Sequence, residues 1–258
     1  MPKFFINKGD IDLSAGLVNV SGGDANHIKN ALRLKPGDTL VFSEPESETE
    51  YECEILRFEN KSAVVKILRS GAAETEPEYK ATIFQAVPKG DGMELVIQKC
   101  VELGAHEIVP VITERTVVKP DKSSSAAKTE RYNKIAEAAA KQSLRGITPK
   151  VKEFMTLDTA VKYSLPLGTR FFAHEKEKNV FIKDIVKKYA GENKTAGIFI
   201  GPEGGFSDGE ARMLAGEGIF AASLGKRVLR AETAAFTALI IYLYVMEEGV
   251  DWKKSSCS

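Results

Sequence analysis

The chain has 258 residues, 36 Lys plus Arg against 36 Asp plus Glu, 43% apolar residues and three cysteines. That is the balance of a soluble globular protein with room for one large or two modest cores. Zero net charge excludes an indiscriminate coat on nucleic acid but allows a local basic face, because steering depends on how charge is distributed. Cys53, Cys100 and Cys257 form no C-x-x-C pair, which predicts reduced thiols without disulfides. Met1–Gly9 lacks a leader pattern, its apolar run being only Phe4-Phe5-Ile6. The longest mostly apolar stretch, Ala234–Met246, has 13 residues, too few to cross a bilayer. A cytoplasmic protein with no membrane partner is expected.

In chain order, residues 1–70 read as a small β-rich unit. Val18–Val20, Thr39–Phe42, Glu50–Phe58 and Ala63–Leu68 are β-prone, and Pro36-Gly37-Asp38 marks a turn. Glu50 to Ile55 alternates acidic and apolar residues, so one face of that strand is acidic and the other buried. Asp24–Leu34 predicts one short helix carrying His27 and Arg33; several strands with one helix suggest a small barrel. Residues 71–78, with Gly, Pro and three Glu and no periodicity, read as a linker. From residue 79 to 258 strands and helices alternate.

Strands are predicted at Ala81–Val87, Ile108–Ile112, Arg170–Ala173, Ala196–Ile200 and Ala221–Leu224. Met93, Val96, Ile97, Cys100 and Val101 share one helical face, with Gly104 placed as its C-terminal cap. Lys119–Lys128, with three consecutive serines, predicts a loop, and Thr129–Arg145 a helix with Tyr132, Ile135, Ala136 and Ala139 inward. A further helix is expected at Val180–Tyr189. Ser207 and Glu210 have capping-box spacing, so a helix starts at Asp208. Glu232–Glu248 is the last helix, and Phe236, Leu239, Ile240, Ile241, Leu243, Tyr244 and Val245 leave it almost no polar face. A helix apolar all round is buried on all sides, which predicts a homodimer. The alternation indicates an α/β fold with a mainly parallel sheet.

Two glycine-and-charge loops follow two apolar runs: Gly201-Pro202-Glu203-Gly204-Gly205-Phe206 after Ile198–Ile200, and Leu224-Gly225-Lys226-Arg227-Val228-Leu229-Arg230 before Glu232-Thr233-Ala234. Glycine lets main-chain groups approach a ligand closely, so together the loops predict a pocket lined mostly by backbone. Neither a G-x-S-x-G elbow, a G-x-x-x-x-G-K-[ST] loop nor a G-x-G-x-x-G fingerprint occurs. His27, His106 and His174 lack partners at ligand spacing, so no metal is predicted.

These blocks resemble the SPOUT (α/β-knot) methyltransferases, and within them the RsmE type, which methylates N3 of a uridine in 16S ribosomal RNA. Further matches are Phe4-Phe5, His27, Leu32-Arg33 and Gly37-Asp38, then Lys89-Gly90-Asp91, Met93-Glu94, Gln98-Lys99 and Glu102-Leu103-Gly104. Glu114-Arg115, Gln142-Ser143 with Arg145, and His174-Glu175 complete the set. The resemblance implies a PUA-like β-barrel on RNA in residues 1–70 and a SPOUT methyltransferase domain in 79–258. It also implies a trefoil knot near 196–245 and an active site completed across a homodimer. By the same resemblance S-adenosylmethionine is held by Ala173, His174 and Glu175, by Ile200, Gly201, Glu203 and Gly204, and by Leu224, Gly225, Val228 and Leu229.

N3 of uracil is a weakly acidic imide, so the chain must place it in line, steady negative charge on a neighbouring carbonyl and remove one proton. Arg230 is the expected cation and Glu203 or Glu232 the proton acceptor; the alternative for Arg230 is an internal salt bridge with one of them. The small ribosomal subunit or its RNA is the expected partner. Thr113–Lys150 holds nine Lys or Arg against four acids, and Lys3, His27, Arg33, Arg115, Arg131, Gln142, Ser143 and Arg145 are its expected RNA contacts. Glutamates at 44, 46, 48, 50, 52 and 54 set an acidic hairpin facing away from RNA. Two other readings stay open: a non-catalytic RNA binder, and a SPOUT enzyme for another RNA site or ribose 2′-OH.

Overall fold

The computed structural model describes residues 1–45, 47–117, 122–189 and 194–248. They divide into two compact units, Met1–Glu76 with Ala140–Thr148, and Pro77–Ala139 with the chain from Pro149 onward.

The first unit holds β1 (Lys3–Phe5), β2 (Ile11–Asp12), β3 (Leu17–Ser21), α1 (Gly22–Asn26), β4 (Thr39–Glu44), β5 (Thr49–Glu59) and β6 (Ser62–Ala72). They form one six-stranded sheet in the order β1-β4-β5-β6-β3-β2, antiparallel except for β1 on β4. Along β5, Tyr51, Cys53 and Ile55 are buried while Glu50, Glu52 and Glu54 are not, so the strict alternation reads out as two faces. Register shifts at Glu52/Cys53 and Ile55/Arg57 bend β5 and increase its twist, which wraps the sheet about Val18, Ile28, Leu40, Phe42, Cys53, Ile55 and Val65. The helix expected at Asp24–Leu34 starts earlier: α1 begins at Gly22 and passes into a π turn over His27–Ala31. β1 and β2 were hidden in the sequence because three and two residues are too few to show a period.

The second unit holds β7 (Lys80–Ala86), α2 (Gly92–Glu102), β8 (Glu107–Ile112), α3 (Lys122–Gln142, whose last three residues belong to the first unit), β9 (Lys150–Val151), β10 (Met155–Thr156), α4 (Leu157–Tyr163), β11 (Thr169–Ala173), α5 (Ile182–Tyr189), β12 (Thr195–Ile200), α6 (Asp208–Gly216), β13 (Phe220–Ala222) and α7 (Ala231–Glu248). Every pairing is parallel, in the order β10-β8-β7-β12-β11-β13, with β9 on β8. A parallel sheet needs cover on both faces, and its strands are correspondingly apolar: Phe84 and Phe199 stack at 4.3 Å in a core with Val109, Val111 and Phe172. α2 ends in a Schellman motif, with Gly104 at φ +99°, its N–H on Val101 and that of Ala105 on Cys100.

Two expectations need correction. α3 starts at Lys122, so 122–128 is helix rather than loop, while Lys119–Asp121 lie outside the described residues. Serine is only weakly unfavourable in a helix and Ala126-Ala127 favour one. α3 stops at Gln142 instead of Arg145, because Leu144 takes a left-handed conformation at φ +58°. On α7, Ala235, Ala238, Leu239 and Tyr242 are covered within the chain, while Ile240 and Tyr244, on the side expected to meet a second copy, are 43% and 65% exposed. Cys53 and Cys100 are buried free thiols. Burial pushes Cys53 up to about 12 and Cys100 higher still, so neither is a thiolate at neutral pH.

Ala140–Thr148 joins the first unit through buried charge. Arg145, 3% exposed, pairs with Glu76, whose Oε1 also accepts the Gly146 N–H at 2.7 Å. Lys3 is held by Glu50, by the Leu144 carbonyl at 2.6 Å and by Thr75. Removing one partner of a buried pair strands the other charge, at about 3–5 kcal/mol. Glu76→Ala is therefore expected to lower stability by about 3 kcal/mol in urea denaturation followed by circular dichroism, and an unchanged midpoint would show that Arg145 finds water instead.

Candidate active site

β11, β12 and β13 run parallel, so the loops that leave their carboxyl ends emerge along one edge of the sheet, where open α/β sheets bind ligands. These loops and the start of α7 line an open cleft of about 680 Å³. Its walls are Ala173, His174 and Glu175; Ile200 through Glu203 with Gly205; Leu224 through Leu229; and Ala231 and Ala234.

The loop after β12 folds back on itself. The Pro202 carbonyl accepts the Gly205 N–H at 2.8 Å, and Gly205 sits at φ +65°. A Cβ on Gly201 would stand 3.0 Å from the Phe206 nitrogen and 3.1 Å from Gly205 carbon atoms, so only glycine fits without moving the loop. Phe206 then anchors edge-on against Phe172 at 5.9 Å. Ser207 opens α6 with a complete capping box. Three further hydrogen bonds brace the loop and the helix it feeds: Lys89 N–H to Glu203 Oε1 at 2.8 Å, Arg115 Nη1 to the Gly204 carbonyl, and Glu114 N–H to Glu210 Oε1 at 2.7 Å.

The loop after β11 is held at both ends. His174 donates its N–H to Ala222 at 3.0 Å, with its ring 5.4 Å from that of Phe172. Glu177 Oε1 accepts the N–H groups of Asn179, Val180 and Lys178 at 2.8, 3.1 and 2.9 Å, and these donors, Asn179 first, hold its carboxyl below the usual carboxylate range. In the loop after β13, Gly225 reverses the chain at φ +108° with its N–H on Ser223 Oγ. Leu224 and Leu229 are half-buried, and Lys226, Arg227 and Val228 are exposed. The Arg230 carbonyl accepts the Ala234 N–H at 2.8 Å to start α7.

The residues expected around a donor thus come together on one cleft. Gly204 is not in its wall, though it belongs to the same loop. The Arg230 side chain is exposed and makes no ion pair among the described residues, so the internal salt bridge to Glu203 or Glu232 is not formed. The Glu232 carboxylate rests over Gly92, where an added Cβ would come within 2.5 Å of Oε1. Glu203 and Glu232 therefore both reach the Lys89–Gly92 turn. Lys226 and Arg227 had no assigned role, and the signal for them was their place inside the second glycine block.

The expected RNA contacts separate. Lys3 and Arg145 are not surface cations, because each is buried on a carboxylate of its own unit. Arg115 is turned onto Gly204, and Arg131 pairs with Glu94 at 2.7 Å. His27, edge-on to Phe4 at 5.9 Å, is exposed, as are Arg33 at φ +56° and Gln142, while Ser143 is half-buried. In the acidic hairpin, Glu50 and Glu52 are taken up by Lys3 and Arg69. Among the described residues no cluster of three His, Cys, Asp or Glu could hold a metal ion, and no helix is long and apolar enough to cross a membrane.

A parallel sheet with a cleft lined by the loops at its carboxyl edge is the ligand-binding arrangement of open α/β folds. The chain belongs to the SPOUT RNA methyltransferases of the RsmE type: the RNA methyltransferase domain matches residues 75–243 and the RNA methyltransferase PUA domain residues 20–68. Ribosomal RNA small subunit methyltransferase E of Bacillus subtilis (strain 168) is 29% identical over 252 residues, 96% of this chain and 98% of the relative. Its counterpart of Rickettsia conorii (strain ATCC VR-613 / Malish 7) is 31% identical over 218 residues, 83% and 84% of the two chains. The Neisseria gonorrhoeae ribosomal RNA small subunit methyltransferase E, solved bound to S-adenosyl methionine, has a TM-score of 0.78 at 27% identity, covering 93% of this chain and 96% of that one.

Proposed function

We propose that the protein methylates N3 of a specific uridine in 16S ribosomal RNA of the small subunit, in the cytoplasm, with S-adenosylmethionine as donor and as a homodimer. The observation that carries this reading is the meeting of three chain-distant loops, 173–175, 200–205 and 224–229, on one cleft. Its residues fit the donor. Gly201, Gly205 and Gly225 bring main-chain groups to the surface, Leu224 and Leu229 offer apolar flanks to adenine, and the Glu175 and Glu203 carboxylates suit a cationic ligand. When bound, the donor supplies an activated methyl group on a sulfonium. The trefoil knot near 196–245 belongs to the same reading.

The protein's own share is placement and one proton. N3 lies on the Watson–Crick edge, so the base must leave its pair or stack. Arg230, with no carboxylate on its guanidinium among the described residues, is available to a uracil carbonyl as negative charge builds there. Glu203 is engaged with the Lys89 N–H, whereas the Glu232 carboxylate has no hydrogen bond among the described residues, which favours Glu232 as acceptor of the N3 proton and Glu203 as brace of the donor loop. His27, Arg33, Arg131, Gln142 and Ser143 remain the proposed RNA contacts. On α7, Phe236, Ile240 and Tyr244 lie four residues apart on one partly exposed stripe, the surface proposed for the second copy.

Nucleoside mass spectrometry of small-subunit RNA from a deletion strain, before and after treatment with the pure protein and S-adenosylmethionine, is expected to show 3-methyluridine lost and restored. A restored 2′-O-methyl nucleoside, or no methyl transfer, would overturn the assignment. Arg230→Ala is expected to lower kcat by about a hundredfold or more with donor affinity by calorimetry unchanged; full turnover would remove it from the reaction. Light scattering should give twice the chain mass for the natural protein and the single mass for Ile240→Glu with Tyr244→Glu, and a monomeric natural protein would refute the dimer.

A further inference from the structure

A set of cations in this protein is neutralised by its own acids. Lys3, Arg57, Arg69, Lys99, Arg131, Lys134, Arg145, Lys152, Lys176 and Lys194 each sit on a carboxylate. The loop Gly225–Arg230 holds none of these pairs. Lys226, Arg227 and Arg230 are three exposed positive charges within five residues, the first two in the wall of the cleft and Arg230 beside its lining residue Leu229, and among the described residues none reaches a carboxylate. Between them Val228 is 84% exposed, the most exposed of the large apolar side chains described. Concentrated like charge costs free energy in the isolated protein, so a loop that keeps three cations together and bares an apolar group is built for an anionic partner with an unstacked or apolar face.

We infer that Lys226 and Arg227 form a phosphate-binding lip that grips the RNA backbone on either side of the nucleotide presented to the cleft, with the Val228 isopropyl group packing against its exposed ribose or base. This deepens the proposed function and rests on it. The anion is a phosphate diester rather than the donor's carboxylate because of the loop's layout: Leu224 and Leu229 are its half-buried inner residues, and the two cations lie exposed between them. Arg230, one step beyond Leu229, is left for the base. The lip also answers the loss of Lys3 and Arg145 from the expected RNA contacts, by placing unpaired charge where the reacting nucleotide has to sit.

The test is the salt dependence of binding of a fluorescent 20-nucleotide single-stranded RNA to the full chain, measured by anisotropy across potassium chloride concentrations. Each phosphate contact on a single strand adds about 0.7 to the slope of log affinity against log salt. Lys226→Gln with Arg227→Gln is expected to flatten that slope by about 1.4, whereas Lys226→Arg with Arg227→Lys keeps it, as does Lys162→Gln on α4. Calorimetric affinity for S-adenosylmethionine stays within twofold in all of them, which also reports an intact cleft. An unchanged slope in the double glutamine variant overturns the lip, as does equal flattening by Lys162→Gln, which would make it a general charge effect. Donor affinity lost with the slope retained assigns the cations to the donor's carboxylate and overturns it too. Natural protein that transfers methyl groups while the slope test fails sinks the lip alone; absence of transfer to any small-subunit RNA sinks the function beneath it.

Discussion

The cleft depends on one steric constraint: the backbone must turn back within six residues of leaving β12. Gly201 has no room for a Cβ against Gly205 and Phe206, and Gly205 has a positive φ. With the turn made, Phe206 is delivered to Phe172 and Ser207 to the start of α6. A side chain at Gly201 would push apart atoms fixed at both ends, by the parallel ladder of β12 on one side and by a capped helix on the other. On such a loop the positions of the main-chain atoms follow from the fold, which preorganises whatever groups it presents.

The bracing bonds extend that logic. Glu203 is tied to Lys89, Gly204 to Arg115 and Glu210 to Glu114, so the loop after β12 is held by the segments that follow β7 and β8. These strands lie successively beside β12 in the sheet. The order of strands therefore supplies the restraints as well as the scaffold. Glu210 serves twice, one oxygen closing the capping box on Ser207 and the other accepting Glu114. That makes it a member of a small hydrogen-bond network rather than a simple cap.

Much of this was legible in the sequence, for physical reasons that differ between elements. The alternation of Glu50 to Ile55, the apolar face of α2 with Gly104 behind it, and the Ser207–Glu210 cap are local signals, and each is realised where the pattern places it. The two glycine blocks marked the cleft because close backbone approach leaves its trace as missing side chains. Other features were not legible because they depend on partners far along the chain. Lys3 and Arg145 read as surface cations since nothing nearby reveals Glu50 or Glu76. α4, β9 and β10 are short elements whose identity comes from docking against β8. The helical start of α3 at a run of serines is a case where context outweighs a weak local preference.

Net charge zero and a polyanionic partner are reconciled by where the pairing happens. Two glutamates of the acidic hairpin are answered internally, Glu50 by Lys3 and Glu52 by Arg69, as the buried Arg145 is by Glu76. Internal pairs of this kind produce little field at a distance, since each charge is cancelled within a few ångströms and the remainder is screened over about 10 Å. The field that a ligand meets is then set by the charges left unmatched. At the cleft those are the cations beyond Gly225, carried on the same loop that presents Leu224 and Leu229. The exposed cations and the half-buried leucines of this wall of the cleft are thereby carried by one short piece of chain, which Gly225 reverses at a left-handed φ.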